Sequence, residues 1–207
     1  MGLELKPSKT RIAPTLKKHS GMVGFDFLGF NVRQFPVGKT HSGKNTHKAL
    51  LGFKTLTQPS QEAIRRHSQA LRDEIRRHQN APQAAIIARL NPIIRGWTNY
   101  YATGASKKTF SDMQRLTFLK LRRWAKRRHP NASWKKVTRW YWRLEMGRWD
   151  FATKEGQQLF AHSRTPIHRY TKIQGSRSPY DGDWVYWASR LGRHPDLPKK
   201  VAILLHR

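Results

Sequence analysis

The stretch Ile64-Arg65-Arg66-His67-Ser68-Gln69-Ala70-Leu71-Arg72-Asp73-Glu74-Ile75-Arg76-Arg77-His78 decides the fold. Ile64, His67, Leu71, Ile75 and His78 recur every three or four residues, the period of an amphipathic helix. Arg65, Arg66, Arg72, Arg76 and Arg77 occupy its other faces. Pro59 precedes the run and Ser60 is a capping residue. Working toward the C-terminus, Pro82 opens a second helix, because proline suits a first turn. Its stripe is Ile86, Leu90, Ile93, Trp97, Tyr100 and Tyr101, and Pro92 inside it predicts a kink or an early break. Gly96 leaves room for the close approach of another backbone or a ligand. A third helix is predicted to open on the capping-box pattern Thr109-Phe110-Ser111-Asp112. It continues through Met113, Leu116, Leu119, Leu121 and Trp124, and Pro130 ends it.

Toward the N-terminus the period changes. Phe25-Asp26-Phe27-Leu28-Gly29-Phe30-Asn31-Val32 alternates and is rich in aromatic residues, which predicts a strand between Gly24 and Pro36. Residues 38–48 read as loop, and Leu50 to Leu56 as the returning strand of a hairpin. Beyond Pro130 the texture changes again, as tryptophans spread through short segments broken by Gly, Pro and Ser. Ser133 to Trp142 reads as a helix, 148–187 as short strands or irregular chain, and Pro198–Leu205 as a last short helix. The fold class is therefore mainly α: a short N-terminal β-hairpin, a three-helix bundle, and a small mixed, Trp-rich basic domain. The divisions fall at 1–56, 57–130 and 131–207.

The 207 residues carry 41 Lys+Arg against 12 Asp+Glu, a formal net charge of +29. Such an excess repels itself in a compact chain and calls for a polyanionic partner, nucleic acid before an anionic membrane surface. Eight Trp, nine Phe and six Tyr distinguish the chain from a disordered basic tail. The absence of cysteine excludes a disulfide framework, a Cys-based zinc site, an iron–sulfur cluster and a thiol nucleophile. No apolar run is long enough to span a bilayer, and the first residues lack a signal-peptide core. The expected location is cytoplasmic, or organellar in a eukaryotic host.

Met113 to Leu144 holds 11 Lys or Arg and no carboxylate, interleaved with Trp124, Trp134, Trp140, Tyr141 and Trp142. Cations release counterions from phosphates and aromatic faces stack on bases. Core packing is the better reading for most of the tryptophans and nucleic-acid contact for the cations as a group, since a merely solvated face mixes both signs of charge. Arg95 and Asn99 lie off the stripe of the second helix and are contact candidates. The ten histidines include no His-x-x-x-His pair, so no metal site is expected. Asp181-Gly182-Asp183 reads as a turn. Gly38-Lys39-Thr40 lacks the upstream glycine of a phosphate-binding loop.

These residues resemble the C-terminal half of group II intron-encoded reverse transcriptase/maturase proteins. Gly2 to Ile12 looks like the segment closing the polymerase palm, and Phe25 to Phe30 like the strand after it. Leu90-Asn91-Pro92-Ile93-Ile94-Arg95-Gly96-Trp97-Thr98-Asn99-Tyr100-Tyr101 resembles the signature of the maturase domain, also called domain X or the thumb. Ser106 to Phe110 and Arg123 to Pro130 extend the likeness, and residues 131–207 resemble the DNA-binding region that follows. The family's catalytic Asp-Asp pair has no counterpart here, nor do the cysteines of its HNH endonuclease.

The resemblance implies a maturase-type protein that binds group II intron RNA and assists splicing and mobility. Within a longer protein, the helical bundle would be the thumb that grips the primer–template duplex. The alternatives are a DNA-binding module and an inactive gene fragment. By itself the chain is expected to be no enzyme and to need no cofactor. Partners would be intron RNA, target DNA and a separate polymerase-palm protein, with no membrane. The nucleic-acid contacts are expected at Arg95, Asn99, Lys107, Lys108, Arg122, Arg123, Lys126, Arg127, Arg128, Lys135, Lys136 and Arg139. Arg164, Arg169, Lys172 and Arg177 extend them into the last region.

Overall fold

The computed structural model describes residues 13–17, 23–38, 43–45, 47–145, 147–168, 175, 177–178, 180–183 and 186–187. The palm-like segment Gly2 to Ile12 and the last helix expected at Pro198–Leu205 lie outside the described residues.

The fold is mainly α. Strands β1 (Phe25–Phe27), β2 (Phe30–Pro36) and β3 (Phe53–Pro59) form an antiparallel sheet in that order. The strand expected over residues 25–32 is instead two strands folded about Leu28-Gly29, with Phe27 opposite Phe30. Both turn residues have positive φ, 48° and 78°, the conformation of a tight hairpin turn whose twist matches its strands. Glycine is required at position 29, since a Cβ there would stand 2.5 Å from the Tyr101 hydroxyl. The returning strand begins at Phe53 and pairs along all of β2, from Phe30–Pro59 to Pro36–Phe53.

Helix α1 (Gln61–Arg77) starts where sequence places it, with the Ser60 side chain accepting a hydrogen bond from the Ala63 amide. Ala63, His67, Leu71 and Ile75 are buried, and Ile64 and His78 flank them half-buried. Helix α2 (Gln83–Tyr101) does not break at Pro92. Proline in a helix interior costs about 3 kcal/mol or more. Here Pro92 and Ala88 are exposed, so water can satisfy the carbonyl that loses its donor. Leu90 and Ile94, both fully buried, hold the two halves to the core. Tyr100 leaves the expected stripe and is 51% exposed, while Ile87, Ile94 and Thr98 join the buried face.

Helix α3 (Lys107–Arg128) starts two residues before the expected cap. Thr109 lies inside the first turn, and Ser106 at the N-cap donates its hydroxyl to the Tyr101 carbonyl at 2.7 Å. The earlier start turns Phe110 fully inward. Leu119, expected on the buried stripe, is instead 36% exposed. Helix α4 (Trp134–Tyr141) is capped by Ser133 and runs into a hairpin of β4 (Trp142–Glu145) and β5 (Arg148–Phe151).

Leu71, Ile86, Leu90, Met113 and Leu121 share one hydrophobic core with Val137, Trp142, Phe151 and Leu159, so the core runs on across Pro130–Ser133. A smaller cluster of Ala63, Tyr101 and Phe110 sits beside the sheet. Beyond β5 the chain returns over the bundle as a strap. Asn91 clamps it from both sides, its amide donating to the Gln158 carbonyl at 3.0 Å and accepting from the Phe160 amide at 2.7 Å. The Gln114 side chain accepts from the His162 amide at 2.9 Å.

Candidate nucleic-acid interface

Carboxylates on α1 are spaced to neutralise only part of its charge. Glu62 pairs with Arg66 at 3.6 Å, and Glu74 with Arg77 at 3.0 Å and with His78. Arg65, Arg72 and Arg76 project from the face turned toward α3, and there they meet Lys120, Arg123 and Arg127. Between the two rows lies a groove of about 770 Å³. Among the described residues, no carboxylate lines it. Its apolar lining comes from Ile64, Leu116, Leu119, Ile75 and Trp124. A second recess of about 590 Å³ shares Leu119, Arg123 and Arg127 and extends to Arg122, Lys126 and Pro130.

Lys120 reports the field in this groove. Its ammonium donates to the Ser68 hydroxyl at 2.8 Å. Partial burial, and then the charges of Arg72 and Arg123, pull its pKa below the ordinary lysine value. A group held among like charges is stabilised by an arriving anion. Among the described residues, Arg65, Arg72, Arg76, Arg123 and Arg127 form no hydrogen bond or ion pair.

The residues singled out from sequence divide sharply. Arg123 and Arg127 line the groove. Their neighbours are engaged inside the protein. Arg122 lies 4.6 Å over the Trp134 ring. Lys126 donates to the carbonyls of Pro130 at 3.0 Å and Ala132 at 2.6 Å, closing the α3–α4 turn. Arg128 donates to the carbonyls of Gln79 at 3.2 Å and Ala81 at 2.8 Å, and covers Trp124 at 4.9 Å. Lys107 holds the strap through the carbonyls of Ser163 and Thr165. Lys108 pairs with Asp112 at 3.0 Å, and Arg164 with Asp150.

Arg177 pairs with Asp183 and stacks on Tyr186 at 4.3 Å. Asp181 organises that turn, accepting from the amides of Ser178 and Asp183. Arg95 and Asn99 lie on the exposed side of α2, flanking the open space at Gly96, with Arg95 5.2 Å over the Phe160 ring. Lys135, Lys136 and Arg139 are exposed on α4. Arg169 and Lys172 lie outside the described residues.

Sequence reasoning missed the α1 half of the groove. Arg72 has no acid three or four residues away on either side, a signal that it lacks a helical partner. It also missed a buried pair: the Nε2 atoms of His67 and His162 are 2.9 Å apart, and His67 stacks on Trp97 at 4.3 Å. Burial pushes His67 down to about 3 and His162 to about 4, so both are neutral at pH 7 and one donates to the other. No group of three or more His, Cys, Asp or Glu suited to a metal occurs among the described residues. No helix there is long and apolar enough to cross a membrane.

Three helices around one core, with a carboxylate-free basic groove between the first and third, define a basic helical-bundle module. Residues 64–142 match the family model for the maturase-specific domain of group II introns. Over that span the chain is similar to the C-terminal region of group II intron maturases. No curated protein matches the chain.

Proposed function

We propose that this chain is a maturase-type RNA-binding protein that binds group II intron RNA and helps it reach its splicing-competent fold. The observation that carries this reading is the α1–α3 groove, where six cations face one another without a carboxylate among them. Folded RNA is recognised largely through phosphate and 2′-hydroxyl contacts, and the five arginines of the groove, which form no hydrogen bond or ion pair among the described residues, are free to make them. The chain acts by positioning and charge neutralisation, and the RNA supplies its own reacting groups. It carries out no polymerisation and no DNA cleavage. Primer extension by a homogeneous preparation with Mg²⁺ would refute that part.

Target DNA is a second partner, favoured by the exposed Trp140, Leu144 and Trp149 beside Arg139 and Arg148. Aromatic faces interleaved with cations suit single strands. A companion protein carrying the polymerase palm would complete the enzyme.

The test is filter binding of the purified chain to structured intron RNA across a salt series. Tight binding that weakens steeply with salt is expected. Equal affinity for the RNA and for a simple polyanion such as heparin at every salt concentration would overturn the reading.

A further inference from the structure

We propose that the α1–α3 groove takes an unpaired RNA segment, with phosphates between the two rows of cations and a splayed-out base seated on the aliphatic floor. This rests on the RNA-binding reading and gives it a substrate class.

Width argues for an unpaired strand. Axes of packed helices stand about 8–10 Å apart, so the cleft between α1 and α3 is too narrow to admit a duplex. A paired helix lying across it would touch the rims at Arg72, Arg76, Arg123 and Arg127 and leave the floor uncovered. The floor is nonetheless accessible, since Leu119 is 36% exposed and Ile64 and Leu116 are half-buried. The groove's 770 Å³ lies within the roughly 300–1,000 Å³ of sites that bury small ligands.

Chemistry points the same way. A nucleotide joins an apolar face to an anion, and the groove joins an aliphatic floor to walls of guanidinium. Arg72 and Arg76 on one wall, and Arg123 and Arg127 on the other, are each four residues apart, about 6 Å along the helix. Each wall therefore offers charge over successive turns, as a strand running along the groove requires. Burial on an apolar floor is non-directional and needs no base-specific hydrogen bond, so the site selects for unpairing and is tolerant of sequence. An acidic amphipathic helix fits less well. It would need a continuous apolar stripe at i, i+3, i+4 and i+7, and the Lys120–Ser68 hydrogen bond crosses this floor between Ile64 and Ile75.

The experiment compares two RNAs: a fully paired hairpin, and the same hairpin with a three-nucleotide bulge containing 2-aminopurine. The native chain should bind the bulged RNA about tenfold more tightly. The 2-aminopurine emission should change on binding as the base moves from water and its neighbours to the groove. Leu119→Arg adds a cation but fills the floor from an exposed position. It should keep affinity for the paired hairpin while losing both the preference and the emission change.

Equal binding of the two RNAs by the native chain would overturn the proposal, as would a preference that survives Leu119→Arg. So would an acidic Leu/Glu helical peptide that displaces both RNAs alike and loses its binding in Leu119→Arg. The RNA-binding reading fails separately. That result would be a native chain that binds both RNAs no more tightly than heparin at every salt concentration, whereas unaltered binding after Arg72, Arg76, Arg123 and Arg127 are all changed to Gln would overturn the groove as the site.

Discussion

The cations of the α1–α3 groove and those at the end of α3 have similar sequence surroundings and opposite occupations. Arg123 and Arg127 face the groove with no hydrogen bond or ion pair among the described residues, while Arg122, Lys126 and Arg128 are spent on a ring and on carbonyls of neighbouring turns. The two sets are sequence neighbours on one helix, about 100° apart around its axis. A cluster of positive charge is therefore no measure of how much charge is available. What matters is whether the fold brings carbonyl oxygens or aromatic faces within reach.

The largest expected effect tests the groove side of that comparison. With six phosphate contacts, affinity for structured RNA should fall roughly 10³-fold between 50 and 200 mM salt, taking the duplex-DNA relation as a guide. Replacing Arg72, Arg76, Arg123 and Arg127 by Gln should reduce the fall to about tenfold. Gln is close to Arg in helix propensity, so the melting temperature should hold. An unchanged salt dependence would place the available charge elsewhere, with Lys135, Lys136 and Arg139 on α4 next in line.

Next in size is the core that keeps the two rows of cations in place. Leu90 is fully buried in the shared cluster. Leu90→Ala should cost about 2–5 kcal/mol by denaturant titration. Because Trp142 and Phe151 pack in the same cluster, the loss should appear in one cooperative transition for the bundle and the β4–β5 hairpin together. Two transitions would mean that the segment after Pro130 is an independent unit.

A third test concerns the strap. His67 and His162 have folded pKa values below the ordinary 6.5, so the unfolded chain binds more protons in acid. Stability should be fully present above about pH 6.5 and be lost as pH falls toward 4 and 3. The slope should approach about 1.4 kcal/mol per pH unit for each histidine. Facing groups set the limit: Lys120 repels a charged His67, and no carboxylate contributes to either shift. Changing both histidines to Gln should flatten the dependence in that window. A slope that persists would assign it to groups other than these two histidines.

Much of this architecture was legible from local pattern. The α1 stripe, the Ser60 and Ser133 caps and the end of α3 follow from residue spacing and capping chemistry, which act within one or two turns. The departures arise where a partner is remote in sequence. The Leu28-Gly29 turn is pinned by the hydroxyls of Tyr100 and Tyr101, which donate to the Leu28 and Gly29 carbonyls from 72 residues away. Pro92 interrupts the pattern, yet burial on the opposite face keeps α2 whole. His67 read as part of an apolar stripe because it is buried, and its partner 95 residues on carries no local signal. For the candidate site, the charge excess was plain, and its α3 half was named. Arg72 apart, the α1 half was hidden because Arg65 and Arg76 each have an acid three residues before them, and spacing does not show that Glu62 and Asp73 engage Arg66 and Gln69 instead.

The smallest expected effect is the most direct test of the structural set. Arg128 is exposed, but its guanidinium bridges the Gln79 and Ala81 carbonyls and lies over Trp124. Solvent competes for both hydrogen bonds, so Arg128→Gln should cost only about 1–2 kcal/mol of stability. Arg127→Gln, one residue away and facing the groove, should cost almost none. In RNA binding the order should reverse. Arg127→Gln should shallow the salt dependence by about one contact, close to 0.9 in the slope of log K against log salt, and Arg128→Gln should leave it unchanged. Adjacent arginines on one helix thus give opposite outcomes in two assays. Equal effects of the pair in both would show that the carbonyl contacts of Arg128 do not withdraw its charge from the RNA, and would return the whole 122–128 cluster to the interface.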